Sequence, residues 1–125
     1  MSVAAAIRIT SPDEELAIGQ ASSFAQQHGQ PLFVISVVSE LPYGPVDDDQ
    51  SRIVARNLKL ISAANASPLI QEGDDVPRAL LAIARSFGVR VMFLQAGTTK
   101  GLGRSIAERL LYLQPSFDVI VLPPK

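Results

Sequence analysis

The chain has 125 residues, 47% of them hydrophobic, and its 11 basic and 12 acidic side chains leave a formal net charge of -1 at pH 7. This length is enough to bury a core without structural metals, and the absence of cysteine excludes disulfides, thiolate metal sites and cysteine nucleophiles. Because the charges nearly cancel, no broad positive field exists, and we expect no nucleic-acid partner.

The apolar segments are too short to cross a bilayer. The longest runs, residues 32–38 and 91–94, fall well below the roughly 20 residues that a transmembrane helix needs. The first six residues lack the basic start of a signal peptide. We therefore expect one domain over residues 1–125, located in the cytoplasm without membrane insertion, either free or as a piece of a larger protein.

Strand and helix patterns alternate from the start of the chain. Residues 3–9 are an apolar run that only Arg8 interrupts, which predicts a buried first strand. Ser11, Pro12 and Glu14 then match a capping box with proline at the first helical position, which predicts that the first helix begins there.

The next strand, at residues 32–38, is continuously apolar and is therefore predicted to lie centrally in a parallel sheet. A loop follows, and then three aspartates at residues 47–49. Carboxylates in a row can bind a divalent cation, but helix N-termini collect acids for electrostatic reasons, and we favour a helix start. We interpret His28, at the end of the first helix, as a helix cap and not as a catalytic or metal-binding residue.

The second half of the chain continues the alternation. The second helix is predicted to end at residues 67–68, a brief strand at residues 69–71 is expected near a sheet edge, and a third helix begins at residue 75 or 76. The last strand covers residues 117–122. Each of the four helices has an apolar face that is expected to point inward. These faces consist of Leu16, Ala17, Ala21, Phe24 and Ala25 in the first helix; Ile53, Val54, Leu58, Ile61 and Ala64 in the second; Leu80, Ile83, Ala84 and Phe87 in the third; and Ile106, Ala107, Leu110 and Leu111 in the fourth.

A glycine-rich loop joins a buried strand at residues 89–95 to the fourth helix. A helix N-terminus after a parallel strand offers free N–H groups to an anion, and Lys100 and Arg104 add positive charge. Neither the Walker spacing nor the G-x-G-x-x-G spacing is met, because Thr98 and Ile106 stand at required glycine positions. A loop whose glycines serve only its geometry is the alternative. The candidate ligand-binding residues are Gly97, Thr98, Thr99, Lys100, Gly101, Gly103, Arg104 and Ser105.

The alternation of strands and helices along the whole chain is typical of right-handed β-α-β units, so the sequence predicts an α/β fold with a parallel sheet. The sequence contains no cysteine and no G-x-S-x-G nucleophile elbow, and its one histidine is expected at a helix end. We therefore do not expect an enzyme.

Three segments resemble the universal stress protein family: residues 25–32, residues 71–80 and, most specifically, residues 104–111 with the sequence RSIAERLL. The resemblance covers nearly the whole chain. It implies a three-layer fold with an open five-stranded parallel sheet in the order 3-2-1-4-5, of the adenine nucleotide alpha-hydrolase-like, Rossmann-like type. It also implies a non-enzymatic regulatory or sensor domain in stress response.

In the nucleotide-binding members of that family, a glycine-rich loop holds the phosphates of ATP, and an aspartate after the first strand lies near the adenosine. Ser105 matches the final Ser/Thr of that loop, whereas Gln95, Thr98 and Arg104 stand in the places of its glycines. The place of the aspartate falls to Thr10 and Ser11. The resemblance to these nucleotide-binding members implies an adenine nucleotide as the ligand.

The altered loop and the ending at residues 115–121 resemble the stress-protein domain of potassium-sensing histidine kinases of the Kdp type. That narrower resemblance implies a regulatory input module with a cyclic dinucleotide as the ligand. The alternative is a protein-interaction domain that has lost its ligand site and forms a homodimer through the last strand, where members of the family often dimerise. The residues expected at that interface are Val119, Ile120, Val121 and Leu122.

Overall fold

The computed structural model of the chain describes residues 1–38, 48–95, 102–113 and 115–123, and only the backbone of residues 102–105. None of the helices in these ranges is long and apolar enough to cross a membrane. The described elements, in chain order, are β1 (Ser2–Ala6), α1 (Glu15–His28), β2 (Leu32–Val38), α2 (Asp48–Ala63), β3 (Ser67–Glu72), α3 (Val76–Ser86), β4 (Val89–Gln95), α4 (Leu102–Tyr112) and β5 (Asp118–Leu122).

The five strands form one parallel sheet in the order β3-β2-β1-β4-β5. β1 is its central strand, and Ala5 pairs with Val34 of β2 on one side and with Phe93 of β4 on the other. The predicted topology and the predicted parallel pairing are therefore confirmed.

The two faces of the sheet carry separate hydrophobic cores, because successive side chains of a strand point to opposite faces. On one face α3 and α4 cover the sheet and bury Leu80, Ile83 and Leu110. On the other face α1 and α2 do so and bury Ile18 and Ile61. Helices on both faces complete the three layers that the sequence predicted.

Small side chains occupy the centre of the sheet and the helix packed on it. Ala4 and Ala5 of β1 have no exposed surface, and Ala17 and Ala21 of α1 have none either. Because methyl groups occupy little space, a helix can lie close to a strand at such a contact. A larger residue at Ala5 would press against α1, and a larger residue at Ala4, which faces the other core, would press against α3 and α4, so either change would cost stability.

The loop between β1 and α1 differs from the predicted capping box. α1 begins at Glu15, three residues after Pro12, and its N-cap Glu14 makes no side-chain cap hydrogen bond. Ser11 instead belongs to a turn in which its N–H donates to the Arg8 carbonyl at 2.9 Å. The predicted helix start was wrong because contacts from other elements hold this loop.

The side chain of Asn57 in α2 holds the loop between β1 and α1 in place. This side chain is buried, and its Nδ2 donates to the carbonyl oxygens of Ile9 at 2.8 Å and Ser11 at 2.9 Å. The N–H of Ile9 donates in turn to the hydroxyl of Ser36 in β2 at 3.1 Å. Side chains of α2 and β2 therefore satisfy three backbone groups of the loop that would otherwise be buried without partners.

The remaining differences lie at element ends and at the margins of helix faces. β3 begins at Ser67, so Ser67 and Pro68 belong to this strand and not to the end of α2, which closes at Ala63. Proline is tolerated there because β3 is an edge strand. The residues that were expected to face inward but are exposed are Leu16, Leu58, Phe87 and Leu111.

Two interpretations of helix ends are confirmed. His28 Nδ1 lies 2.9 Å from the carbonyl oxygen of Phe24, and the two rings stack with centroids 4.1 Å apart at the C-terminus of α1. Asp48 and Asp49 lie in the first turn of α2, where the helix dipole favours acidic side chains, whereas Asp47 lies outside the described residues.

Replacing Asn57 by alanine should lower the free energy of unfolding by about 2–4 kcal/mol, because two buried carbonyl oxygens lose their donor and a cavity remains. Chemical denaturation measures this change. Lys59→Ala, at an exposed position of the same helix, is the matched control and should change it by less than about 0.5 kcal/mol. Wild-type stability in the Asn57 variant would contradict the anchoring role of this side chain.

Candidate functional site

The strand order creates a crevice at the carboxyl ends of β1 and β4. From β1 the chain continues to α1 on one face of the sheet, and from β4 it continues to α4 on the opposite face. Ligands of open parallel sheets bind outside the carboxyl ends of the strands, at the point where the connections diverge in this way. The fold therefore marks the same edge of the sheet that the glycine-rich loop indicated from sequence.

A small cavity of about 40 Å³ lies at this crevice. Its polar lining consists of Arg8, Glu14 and Gln95, and apolar side chains of β1, β2, β4, α3 and α4 form the rest. Roughly 10–15 Å³ of such volume holds one water molecule, so this space fits only a few water molecules or one small substituent of a ligand. The main body of any larger ligand would lie at the mouth of the cavity.

Glu14 places a buried carboxyl group in the cavity wall, with 8% of its surface exposed. Burial raises the pKa of Glu14, because the charged form loses its contact with water. Hydrogen bonds from the Arg8 N–H and the Ser11 hydroxyl, together with the Arg8 charge, oppose this rise, while the neighbouring charge of Asp13 adds to it. On balance the carboxyl group keeps its proton to a higher pH than a solvated glutamate does.

Gln95 ends β4 in the wall of the same cavity. Its amide nitrogen and oxygen are both shielded from solvent, and neither has a hydrogen-bond partner among the described residues. Turning the amide over would not help, because both atoms are unpaired. A buried polar group without a partner costs about 1–3 kcal/mol, so this amide favours any ligand group that completes its hydrogen bonds.

Arg8 provides positive charge at the same place. Its side chain is exposed and contributes to the cavity wall. The sequence does contain a signal for Arg8 and Gln95, since each is a polar residue in or at the end of an otherwise apolar strand segment. Glu14 gave no such signal, because a glutamate near a helix start is ordinary.

Of the candidates from the first strand, Thr10 is exposed and Ser11 is buried, and neither belongs to the cavity wall. The Ser11 hydroxyl accepts from the Asp13 N–H at 3.3 Å and bonds the Glu14 carboxyl group. β1 ends at Ala6, earlier than the sequence predicted. Arg8, which is closer to the end of this strand than Thr10 and Ser11 are, lines the cavity in their place.

The candidates from the glycine-rich loop follow β4 directly in sequence. Their role in anion binding stays a prediction. Gly97, Thr98, Thr99, Lys100 and Gly101 lie outside the described residues, and Gly103, Arg104 and Ser105 lie in α4, where only the backbone is described.

Larger clefts occur elsewhere on the described surface, but their polar groups are better satisfied. A groove of about 410 Å³ between α3 and α4 contains Arg78 and Arg109. Both guanidinium groups already contact Asp75, Arg78 Nε at 3.3 Å and Arg109 Nη2 at 3.3 Å. A cleft of about 210 Å³ at the amino end of the sheet contains Gln30, whose buried amide oxygen has no hydrogen-bond partner among the described residues. At the crevice, by contrast, the strand connections diverge and both polar atoms of the Gln95 amide lack partners among the described residues.

Glu14→Gln should remove one contribution to the pH dependence of stability. A carboxyl group whose pKa rises on folding adds stability below its unfolded pKa, near 4.5, and loses that contribution as the pH rises through the folded value. We therefore expect the stability of the variant relative to wild type to increase with pH in that interval, by at most about 1.4 kcal/mol per pH unit.

Denaturant titrations at several pH values measure this difference, with Glu15→Gln, one residue further along and exposed, as the matched control. The control should keep the wild-type profile. Parallel profiles for wild type and Glu14→Gln would contradict a raised pKa at Glu14.

No protein-family model matches this sequence, and no curated protein matches it either. In structure, the chain is similar to universal stress proteins. A universal stress protein in complex with cAMP has a TM-score of 0.71 at 14% identity, with 100% of this chain and 98% of that chain covered. The universal stress protein from Archaeoglobus fulgidus in complex with dAMP has a TM-score of 0.67 at 17% identity, with 97% and 96% covered.

A protein of the universal stress protein family from Burkholderia pseudomallei has a TM-score of 0.67 at 21% identity, covering 98% of this chain and 96% of that chain. At such identities the similarity is one of fold. These proteins match almost the whole chain, including the parallel sheet and the helices on both of its faces. The chain therefore has the fold of the universal stress proteins, which is the adenine nucleotide alpha-hydrolase-like fold that the family resemblance implied.

Proposed function

We propose that this chain is a regulatory domain of the universal stress protein kind, not an enzyme, and that it binds an adenine nucleotide or a related anionic ligand over the carboxyl ends of β1 and β4. The observation that carries the proposal is the cavity at that crevice. It combines the buried carboxyl group of Glu14, the unpaired amide of Gln95 and the exposed guanidinium group of Arg8.

The chemistry of known ligands on this fold supports the proposal. Two of the similar universal stress proteins are in complex with adenine nucleotides, cAMP and dAMP. A guanidinium group such as that of Arg8 suits a phosphate, because it donates several hydrogen bonds in a fixed plane. From sequence, Lys100 and Arg104 add two further cations next to the start of α4, whose free N–H groups favour anions.

A binding role, as opposed to a catalytic one, is supported by the position of His28, the one histidine of the chain. Its ring is stacked on Phe24 and bonded to a helix carbonyl at the C-terminus of α1. That end of α1 lies at the amino end of the sheet, opposite the crevice, so His28 cannot act as a base there.

The narrower resemblance to the stress-protein domain of Kdp-type histidine kinases belongs to the same proposal. It makes the chain an input module whose ligand state is transmitted to a larger protein. Cyclic dinucleotides carry adenine or guanine bases together with two phosphates, so they present the same kinds of group to Arg8 and Gln95. They are therefore tested beside the mononucleotides.

The purified chain should be stabilised against heat by at least one of ATP, ADP, AMP and the cyclic dinucleotides, with or without magnesium. A ligand at 100 times its Kd adds about 2.7 kcal/mol of stability, which a thermal-shift assay detects and calorimetry quantifies. The double variant Lys100→Ala, Arg104→Ala should lose most of this stabilisation, because two phosphate-binding charges are removed.

The matched control is Lys59→Ala, Arg85→Ala, which removes two exposed cations from α2 and α3 and should keep the ligand response. A wild-type response in the first double variant would exclude the loop after β4 from the site. No stabilisation by any nucleotide would overturn the proposed ligand class.

A second candidate function rests on the outer edge of β5, which ends the described sheet. Ile120 is 36% exposed and Val121 is 43% exposed, whereas Val119 and Leu122 pack partly against the two cores. The opposite edge strand, β3, contains Pro68, a residue that hinders strand pairing, and β5 contains no proline. An apolar edge without such protection favours pairing with a second copy of the chain.

If the chain forms a dimer through β5, Val121→Lys should convert it to a monomer, because a charge on the edge opposes strand pairing. Analytical ultracentrifugation over a range of concentrations measures the change. Ile70→Lys, at an apolar position of β3 that is 49% exposed, is the matched control and should remain a dimer. A wild-type chain that stays monomeric at every concentration would exclude this second function.

A further inference from the structure

We propose that Gln95 sets the base specificity of the crevice by pairing its side-chain amide with the edge of an adenine ring. This proposal rests on the nucleotide-binding function proposed above and names the part of the nucleotide that the described cavity recognises. It concerns the wall of the cavity and not the loop that follows β4.

The hydrogen-bonding capacity of the amide indicates the ligand group. A glutamine amide offers an acceptor beside a donor, and both atoms of Gln95 lack partners among the described residues. The complementary edge therefore has a donor beside an acceptor. Adenine presents such an edge in its 6-amino group and N7, and paired contacts of this kind between glutamine and adenine are common, whereas guanine presents two acceptors at the same positions.

The other polar groups of the cavity, those of Glu14 and Arg8, are less suited than Gln95 to pair with an uncharged base. The carboxyl group of Glu14 already receives hydrogen bonds from the Arg8 N–H and the Ser11 hydroxyl. The Arg8 side chain is exposed and carries a full charge, so it matches a phosphate better than an uncharged base. Gln95 is the uncharged polar group of the cavity whose hydrogen bonds are all unmade.

The size and lining of the cavity agree with recognition of one edge. A space of about 40 Å³ accepts a 6-amino group but not a purine ring, so the ring would lie at the mouth. Apolar side chains, among them Leu94, Val76 and Ile106, line most of the cavity to which Gln95 belongs. In such surroundings a hydrogen bond is stronger, and an unmade one more costly, than in water, so a ligand that lacks the amino group is disfavoured.

Calorimetry with AMP and with purine riboside 5′-monophosphate tests the proposal, because the two ligands differ only in the 6-amino group. Wild type should bind AMP about 5- to 150-fold more tightly, the range expected for one paired amide–adenine contact. Gln95→Met keeps an unbranched side chain of similar length but removes the amide. In this variant the ratio should fall to near one, through weaker binding of AMP.

The stability of the ligand-free variant separates recognition from folding. Gln95→Met should be at least as heat-stable as wild type, because a shielded amide without partners is replaced by an apolar group. Gln71→Met, at an exposed position of β3, is the matched control and should keep the wild-type ratio of affinities.

Three results would overturn the proposal, and they differ in what they leave standing. A wild-type ratio in Gln95→Met, or equal binding of the two ligands by wild type, would refute the role of Gln95 and leave nucleotide binding intact. Binding of neither ligand to wild type would refute adenine mononucleotide binding, and the role of Gln95 with it.

Discussion

The central strand β1 constrains the rest of the structure, because both of its edges are paired and both of its faces are covered. Small side chains let the helices approach this strand closely, and its second half consists of Ala4, Ala5 and Ala6, each with at most 8% of its surface exposed. The strands on either side, β2 and β4, are reached by connections over opposite faces of the sheet. The crevice at the carboxyl end of β1 is a direct result of that arrangement.

The loop after β1 connects the stability of the fold to the candidate site. Asn57 and Ser36 satisfy the backbone of this loop from two other elements, and the loop in turn holds Arg8 and Glu14 beside the cavity. Among the described residues, the buried side chains of Asn57, Ser36 and Ser11 all take part in hydrogen bonds here. Gln95, on the other side of the cavity, has an amide without partners among the described residues. Such a local cost to stability is typical of positions that serve binding.

The two candidate functions use neighbouring surfaces of the sheet. Gln95, the last residue of β4, is the register partner of Leu122, the last residue of β5. Leu122 packs partly against the core below α1 and α2, while the adjacent Val121 is exposed at the outer edge. A ligand at the crevice and a second copy at the edge would thus contact adjacent strands at the same end of the sheet.

The sequence by itself determined the type and order of the elements, because hydrophobic periodicity and helix-end signals are local. Its family resemblance also implied the strand order, and the glycine-rich stretch indicated the same edge of the sheet as the crevice, although its residues remain predictions. Only the tertiary structure decided that α1 begins at Glu15, that Asn57 is buried, and that Arg8, Glu14 and Gln95 meet in one cavity. The reason is physical: each of these facts depends on hydrogen bonds and burial supplied by residues distant in the chain, which no local pattern contains.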